Sequence, residues 1–265
     1  MTIQAMTFNL RYHEPKDGDD AWPHRIGKVA DIIEANAPDV IGTQEGQAPM
    51  LEDLQQRLDG YRWIGKPRDD GARSEHCAVL YREARLEPLE EGQFWLSETP
   101  EATASKSWDT SITRICTWVR FRDKQTGDSF AVFNTHLDHR GEEARRNGAA
   151  LVYERMSAYR EKHGIPLLLM GDMNCTPASD AIRFFRGELP HGPVTTDLQD
   201  VFDHVEKPVG ATFNGFKGRV EGEPIDYIFT TKDWIVIRAL IDRTQYGGAY
   251  PSDHYPVIAT LEMTR

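Results

Sequence analysis

The run Leu167-Leu168-Leu169-Met170-Gly171-Asp172-Met173-Asn174 constrains the architecture more than any other stretch of this chain. Consecutive apolar residues without alternation read as a strand covered on both faces. Asp172 and Asn174 follow at a period of two, so both point to one side of the sheet's end. A charge there is costly unless it meets water, a partner or a metal. A local explanation is available, in which Asp172 turns the chain and Thr176-Pro177 opens a helix as N-cap and first helical residue. That accounts for Thr176 and Pro177 and leaves the Asp-x-Asn pair unexplained.

The rest of the chain supplies the layers such a strand needs. Met6–Leu10 ends a first strand. Ile26, Val29, Ala30 and Ile33 make one apolar face of a helix over 24–36, which Pro38-Asp39 breaks before a short strand at 40–44. Leu51, Leu54 and Leu58 repeat the helical spacing up to Gly60. Strands are expected at 61–66, 76–82, 114–122 and 129–137. A long helix follows over 141–162, with Ala144, Leu151, Val152 and Tyr159 inward and Gly164 as its stop. Then come a strand at 166–173, a helix from about 177, and strands near 225–231, 234–242 and 257–263. The stretches 13–21, 67–75 and 98–113 read as loops. With no internal repeat, low-complexity tract or linker, residues 1–265 form one expected domain. Its class is α/β (α+β), two packed sheets covered outside by helices. A chain of 265 residues buries enough surface to need no disulfide or metal staple.

Charge and cysteine content narrow the function. A net charge of −11 gives no general attraction for phosphate polyanions. Cys77, Cys116 and Cys175 are odd in number and sit in or beside apolar runs, as reduced, buried thiols do. Cys175 lies next to Asn174, which raises a catalytic thiol, but no histidine stands beside it and packing is the preferred reading. The N-terminus has no secretory pattern and no run reaches the ~20 apolar residues of a membrane span, so a cytoplasmic protein without membrane contact is expected.

Polar residues recur where strands end: Asn9, Glu45, His136, Asp172 with Asn174, Asp226, and Asp253-His254. Singly, each reads as a turn, a cap or a solvated charge. Together they suggest convergence. Four carboxylates (Glu45, Asp172, Asp226, Asp253) in one cleft would repel, each pair 4 Å apart by roughly 4 kcal/mol at an effective dielectric of 20. Divalent cations would relieve this, and oxygen ligands favour Mg²⁺ or Mn²⁺ over zinc, for which no cysteine pattern exists.

The set Thr-Phe-Asn-Leu (7–10), Thr-Gln-Glu (43–45), Asn-Thr-His-Leu (134–137), Gly-Asp-Met-Asn (171–174), Ile-Asp-Tyr-Ile-Phe (225–229) and Ser-Asp-His-Tyr-Pro-Val (252–257) resembles the endonuclease/exonuclease/phosphatase superfamily. The motifs occur in the family's order across nearly the whole chain. The resemblance implies a four-layer α/β/β/α sandwich and metal-assisted hydrolysis of a phosphate ester where the strand ends of both sheets meet. It implies Glu45 as principal Mg²⁺ (or Mn²⁺) ligand with Asn9 beside it, and Asp253 as a further ligand or site organiser. Asp172 would deprotonate the attacking water, with Asn174 holding that water or a phosphate oxygen. His254, oriented by Asp226, and His136 would stabilise phosphoryl charge.

Two matches are looser. Glu75, in Ser-Glu-His-Cys-Ala-Val-Leu-Tyr-Arg (74–82), resembles a family glutamate that orients the first histidine, or is a solvated loop charge. Arg114 resembles a phosphate-contacting arginine, or is a surface charge. Trp22, Trp95 and Trp108 lie in or beside expected loops, where they could stack a base or belong to the core. The loops Trp22-Pro23-His24-Arg25 and Ser107-Trp108-Asp109 are the candidates for specificity. Arg140, Arg145 and Arg146 alternate with Glu142 and Glu143, a solvated helix face rather than a basic stripe. The overall flavour is similar to a compact bacterial branch related to carbon-catabolite-repressor-type deadenylases. The favoured substrate is therefore an RNA or DNA end. A small phosphorylated molecule such as a sugar or inositol phosphate is the alternative, and a non-enzymatic scaffold comes last. No protein partner is evident, and a monomer is expected.

Overall fold

The computed structural model describes residues 1–71, 73–205 and 207–264. In chain order the elements are β1 (Thr2–Asn9), α1 (Trp22–Asn36), β2 (Val40–Gln44), β3 (Gly46–Gln47), α2 (Ala48–Arg57), β4 (Tyr61–Ile64), β5 (Glu75–His76), β6 (Val79–Arg82) and β7 (Leu86–Trp95). There follow β8 (Ile115–Asp123), β9 (Ser129–His136), α3 (Glu142–His163), β10 (Leu167–Asp172), α4 (Asp180–Phe185), β11 (Gln199–Asp200), β12 (Asp226–Thr230), β13 (Trp234–Ile241) and β14 (Val257–Met263). Among the described residues two six-stranded sheets run β13-β14-β1-β2-β6-β4 and β11-β12-β10-β9-β8-β7. Each is antiparallel except for one central parallel pair, β1 with β2 and β9 with β10.

Alternation along β1 separates the layers. Ile3 and Ala5 enter the core between the sheets, whereas Met6 and Phe8 face outward under α1 and α2 with Ile26, Val29, Leu51 and Leu54. Beyond the second sheet lie α3 and α4, which contribute Val152, Met156, Ile182 and Phe185 to the larger core. Each such fully buried side chain contributes about 1.5–3 kcal/mol, enough collectively to offset a few strained charges at the strand ends. This is the four-layer α/β/β/α sandwich expected from the motifs.

Register then aligns the polar strand ends. Asp172 on β10 is paired with His136 on β9 and with Asp226 on β12. Directly paired residues share a face, so these side chains form one row across adjacent strands. Gly171 has φ +155°, and a Cβ there would run into the carbonyl oxygen of Thr135. Only glycine permits the close strand approach that sets Asp172 in place.

Three sequence expectations change. Residues 86–95, left unassigned above, form edge strand β7; its Pro88 and acidic residues suit an edge that bulges between Pro88 and Glu90. The helix expected from about 177 starts at Asp180, because Thr176–Ser179 closes a turn first (Ser179 N–H to Thr176 carbonyl, 3.0 Å). Helix α1 begins at Trp22, so Trp22-Pro23-His24-Arg25 is helical and not a loop.

Candidate active site

At the strand ends where the two sheets face each other lies a cavity of about 590 Å³, its wall including Glu45, Asp172, Asn174, His136, Asp253 and His254. Asp172 is its centre. Its Oδ1 accepts the backbone N–H of Asn174 at 2.9 Å, and its Oδ2 accepts Asn9 Nδ2 at 3.0 Å. His136 Nε2 stands 3.3 Å and His254 Nε2 3.8 Å from that same Oδ2. Burial, reinforced by the charge of Asp226, pushes the Asp172 carboxyl up to about 7.

The two histidines differ in charge. His254 Nδ1 lies 2.9 Å from Asp226 Oδ2, and both residues are buried. Burial alone would disfavour the imidazolium, but Asp226, then Asp172 and Asp253, outweigh it and hold His254 well above the ordinary histidine range. His136 moves the other way: burial first, then the positive charges of Arg114 and His254, keep it neutral.

Glu45 follows β2 with φ +63°, and Asn174 follows β10 with φ +48°, both in the left-handed region that non-glycine residues rarely occupy. The turn lets Glu45 reach back to the end of β1 and the segment after it, where it accepts Asn9 Nδ2 and the Tyr12 N–H, each at 3.0 Å. The same turn in Asn174 lets Nδ2 donate to the Leu137 carbonyl at 3.0 Å, which leaves its side-chain oxygen for the cavity. The Ser252 hydroxyl donates to the Asn9 carbonyl at 2.7 Å, tying the segment that carries Asp253 to the end of β1.

Two groups of side chains bear on whether a divalent cation fits. Asp172, Asp226 and His254 present ligand atoms within 4.8 Å of one another, but Asp226 Oδ2 and His254 Nδ1 are already bonded to each other. Glu45 and Asp253 add carboxylate oxygens to the cavity wall; Asn9 turns Nδ2 towards Glu45 while its Oδ1 accepts the Arg11 N–H at 2.9 Å, so its amide would have to turn to offer oxygen to a cation. Here one neutral amide, Asn9 Nδ2, bridges the carboxylates of Glu45 and Asp172. Two carboxylates sharing so weak a counterpart, and the raised Asp172 and Asp253 carboxyls, are what a hard cation would relieve.

Other expected residues are placed differently. Glu75 is joined to Arg68 by two hydrogen bonds of 2.8 and 2.9 Å and makes none to His136, although it lines the cavity. Trp22 is buried in the core under α1, its Nε1 near Asp53 at 3.3 Å, and Trp108 borders a separate depression with Pro100, Asn147 and His191. Neither faces the cavity. Asp109 caps the N-terminus of α3 through the Ala144 N–H at 2.7 Å, so Ser107-Trp108-Asp109 braces a helix. Trp95 is buried, with Nε1 on the Arg68 carbonyl. Arg114 does line the cavity, only 4% exposed.

The sequence reading missed several residues. Asp138 accepts the N–H groups of Arg140 (2.9 Å), Gly141 (2.7 Å) and Ser111 (3.1 Å) and the Ser111 hydroxyl (2.7 Å), tying the 110–112 loop to the end of β9. Buried Arg25 donates to the carbonyls of Leu10, Arg11, Asp20 and Pro251, stapling the segments that precede and follow the site. Phe213 packs its ring against His254, centroids 5.1 Å apart. His139 lines the cavity beside Arg114. The polar pattern Leu-Asp-His-Arg after Asn-Thr-His was the available signal for Asp138 and His139; Arg25 stood in a segment read as a specificity loop rather than a staple, and nothing local marked Phe213.

A profile described as the Endonuclease/Exonuclease/phosphatase family matches residues 6–254. The chain belongs to that family. Within the endonuclease/exonuclease/phosphatase family it is similar to a mannosyl-6-phosphatase of Bacteroides thetaiotaomicron, with 32% identity, TM-score 0.90, and 98% of this chain and 100% of that one covered. The catalytic domain of human nocturnin shares the fold at 20% identity and TM-score 0.78, over 99% of this chain and 94% of that one. The RNA exonuclease NGL1 of Saccharomyces cerevisiae is 23% identical over 180 residues, 57% of this chain and 49% of that protein. The chain thus spans about half the length of the curated relatives it matches, 59% of one and 49% of the other. Among the described residues no helix is long and apolar enough to cross a membrane.

Proposed function

We propose that this chain is a divalent-cation-dependent phosphatase of a small polyhydroxylated molecule, in the class of sugar phosphates. The observation that carries this over the nucleic-acid reading is the cavity itself. Its volume of about 590 Å³ suits one small ligand, and neither tryptophan proposed as a base platform faces it. The net charge of −11 argues the same way. So does the similarity to a mannosyl-6-phosphatase along its full length.

In this reading Glu45 and Asp253, with Asn9 once its amide turns, would hold Mg²⁺ or Mn²⁺, and the cation would supply charge neutralisation to the phosphoryl oxygens. Asp172, raised towards neutrality, is poised to take the proton of the attacking water. The side-chain oxygen of Asn174 accepts that water's other proton and fixes its direction. The imidazolium of His254, held by Asp226, and neutral His136, whose Nε2 lies 3.3 Å from Asp172, would stabilise the phosphoryl oxygens on which charge develops.

The test is steady-state kinetics on mannose 6-phosphate and glucose 6-phosphate against bis-nitrophenyl phosphate and short RNA and DNA oligonucleotides, with Mg²⁺ or Mn²⁺ present. A kcat/KM for the sugar phosphates at least tenfold above the others is expected. Preference for oligonucleotides or the diester would return the chain to the nuclease reading.

A further inference from the structure

Arg114 is a buried guanidinium with unused donors. Two carboxylates that act on it, Glu75 and Asp138, are engaged elsewhere. Glu75 is held by Arg68 through both oxygens. Asp138 is saturated by backbone and hydroxyl donors, and Arg114 Nε stands 3.6 Å from Asp138 Oδ2 without a hydrogen bond. The hydrogen bond that the Arg114 guanidinium makes among the described residues runs from Nη2 to Nδ1 of His139, at 3.1 Å. A guanidinium only donates, so Nδ1 of His139 must accept. The Ser111 hydroxyl lies 3.3 Å from the same nitrogen, but its proton goes to Asp138 at 2.7 Å. The tautomer follows: His139 is neutral and carries its proton on Nε2, on the ring edge turned away from the arginine. His139 is exposed and lines the same cavity as Asp172 and His136.

We infer that His139, with its tautomer set by Arg114, is a specificity-determining residue that donates from Nε2 to a hydroxyl oxygen on the leaving-group side of the substrate. This rests on the sugar-phosphate reading and deepens it. A phosphoryl group at Asp172 and the histidines leaves the alcohol portion of the ester to occupy the rest of the cavity. A fixed neutral N–H there selects a hydroxylated leaving group, because an ester without that hydroxyl leaves the donor without its partner. A protonated imidazole would face the guanidinium with a second donor, so the pair works as a donor of one hydrogen bond and not as a second cation.

Two measurements test it on the whole protein with Mg²⁺ bound. The first compares His139→Ala and His139→Gln with the parent on a sugar phosphate and on nitrophenyl phosphate, whose leaving group has no further hydroxyl. The ratio of the two kcat/KM values should fall at least fivefold in His139→Ala, mainly through the KM for the sugar phosphate. His139→Gln, which restores an N–H donor, should recover part of it. The second is the tautomer of His139 by ¹⁵N NMR of histidine-labelled protein, assigned by difference with His139→Gln; protonation at Nε2 is expected. Equal losses on both substrates, or a proton on Nδ1, would overturn the role of His139 while leaving the sugar-phosphate reading standing. If the parent prefers oligonucleotides, both fall together.

Discussion

The Asp226–His254 pair should act as one unit, and the structure sets the scale of the coupling. The groups approach to 2.9 Å within the buried row of strand ends. Two unit charges at that distance attract by about 6 kcal/mol at an effective dielectric of 20, before desolvation takes back part of it. His254→Ala removes a positioned, charged group and should cost on the order of 10²–10⁴ in rate. A thousandfold loss corresponds to about 4 kcal/mol. Asp226→Asn should produce a comparable loss, because the imidazole then lacks its counter-charge and the group that fixes its direction. If the two acted independently, the double variant would lose about a millionfold. If Asp226 acts through His254, it should lose about a thousandfold, leaving a coupling of about 4 kcal/mol, far beyond the few tenths expected of independent sites. The assay is a double-mutant cycle in kcat/KM on nitrophenyl phosphate or a sugar phosphate, with circular dichroism to show that each variant is folded. Multiplying losses in folded protein would refute the pairing and reassign Asp226 to cation binding through its unpartnered Oδ1.

Excess EDTA should abolish activity, with recovery on added Mg²⁺ or Mn²⁺, and Glu45→Ala should weaken Mn²⁺ binding at least roughly tenfold by calorimetry; an unchanged titration would remove Glu45 from the ligand set. Asp138→Ala should lower the unfolding free energy by on the order of 2–4 kcal/mol in urea melts, since it strips acceptors from several buried donors. Burial acts to raise the Asp138 carboxyl, but the Gly141 N–H, the Ser111 hydroxyl and the Arg140 N–H outweigh it and hold it well below the usual carboxylate range. Its stabilisation is therefore complete above the unfolded pKa of about 3.9 and lost as pH falls from there through the folded value, so the gap between parent and variant should narrow below about pH 4. Cys77, Cys116 and Cys175 should each react with a thiol reagent only in denaturant, and Cys175→Ser should keep kcat/KM within about twofold; a large loss in folded protein would bring the thiol into the chemistry.

The elements legible in the sequence were those whose pattern is local. Ile26, Val29, Ala30 and Ile33 mark α1 because a helix has a fixed period, and Leu167–Met170 marks a buried strand because a two-faced core admits no polar alternation. The polar strand ends were legible for a related reason. Charges placed where buried strands stop need partners, whatever the topology. Residues whose meaning depends on what lies opposite were not legible. Pro88, Gly92 and the glutamates of β7 look unlike a strand, and only an edge position in the second sheet makes them one. The family resemblance offers Glu75 either as a partner of His136 or as a loop charge, and only the fold shows Arg68, across a short loop, reaching both its oxygens. Trp22 stands beside a proline in a segment that reads as a loop, yet α1 starts there and buries it. Strand register alone set His136, Asp172 and Asp226 in a row, and packing of the two sheets brought Asn9 and Glu45 against them. Periodicity is a property of one segment, and so the amino-acid sequence carries it directly; hydrogen-bond partners and charge balance are properties of surfaces that meet, and only the folded chain decides them.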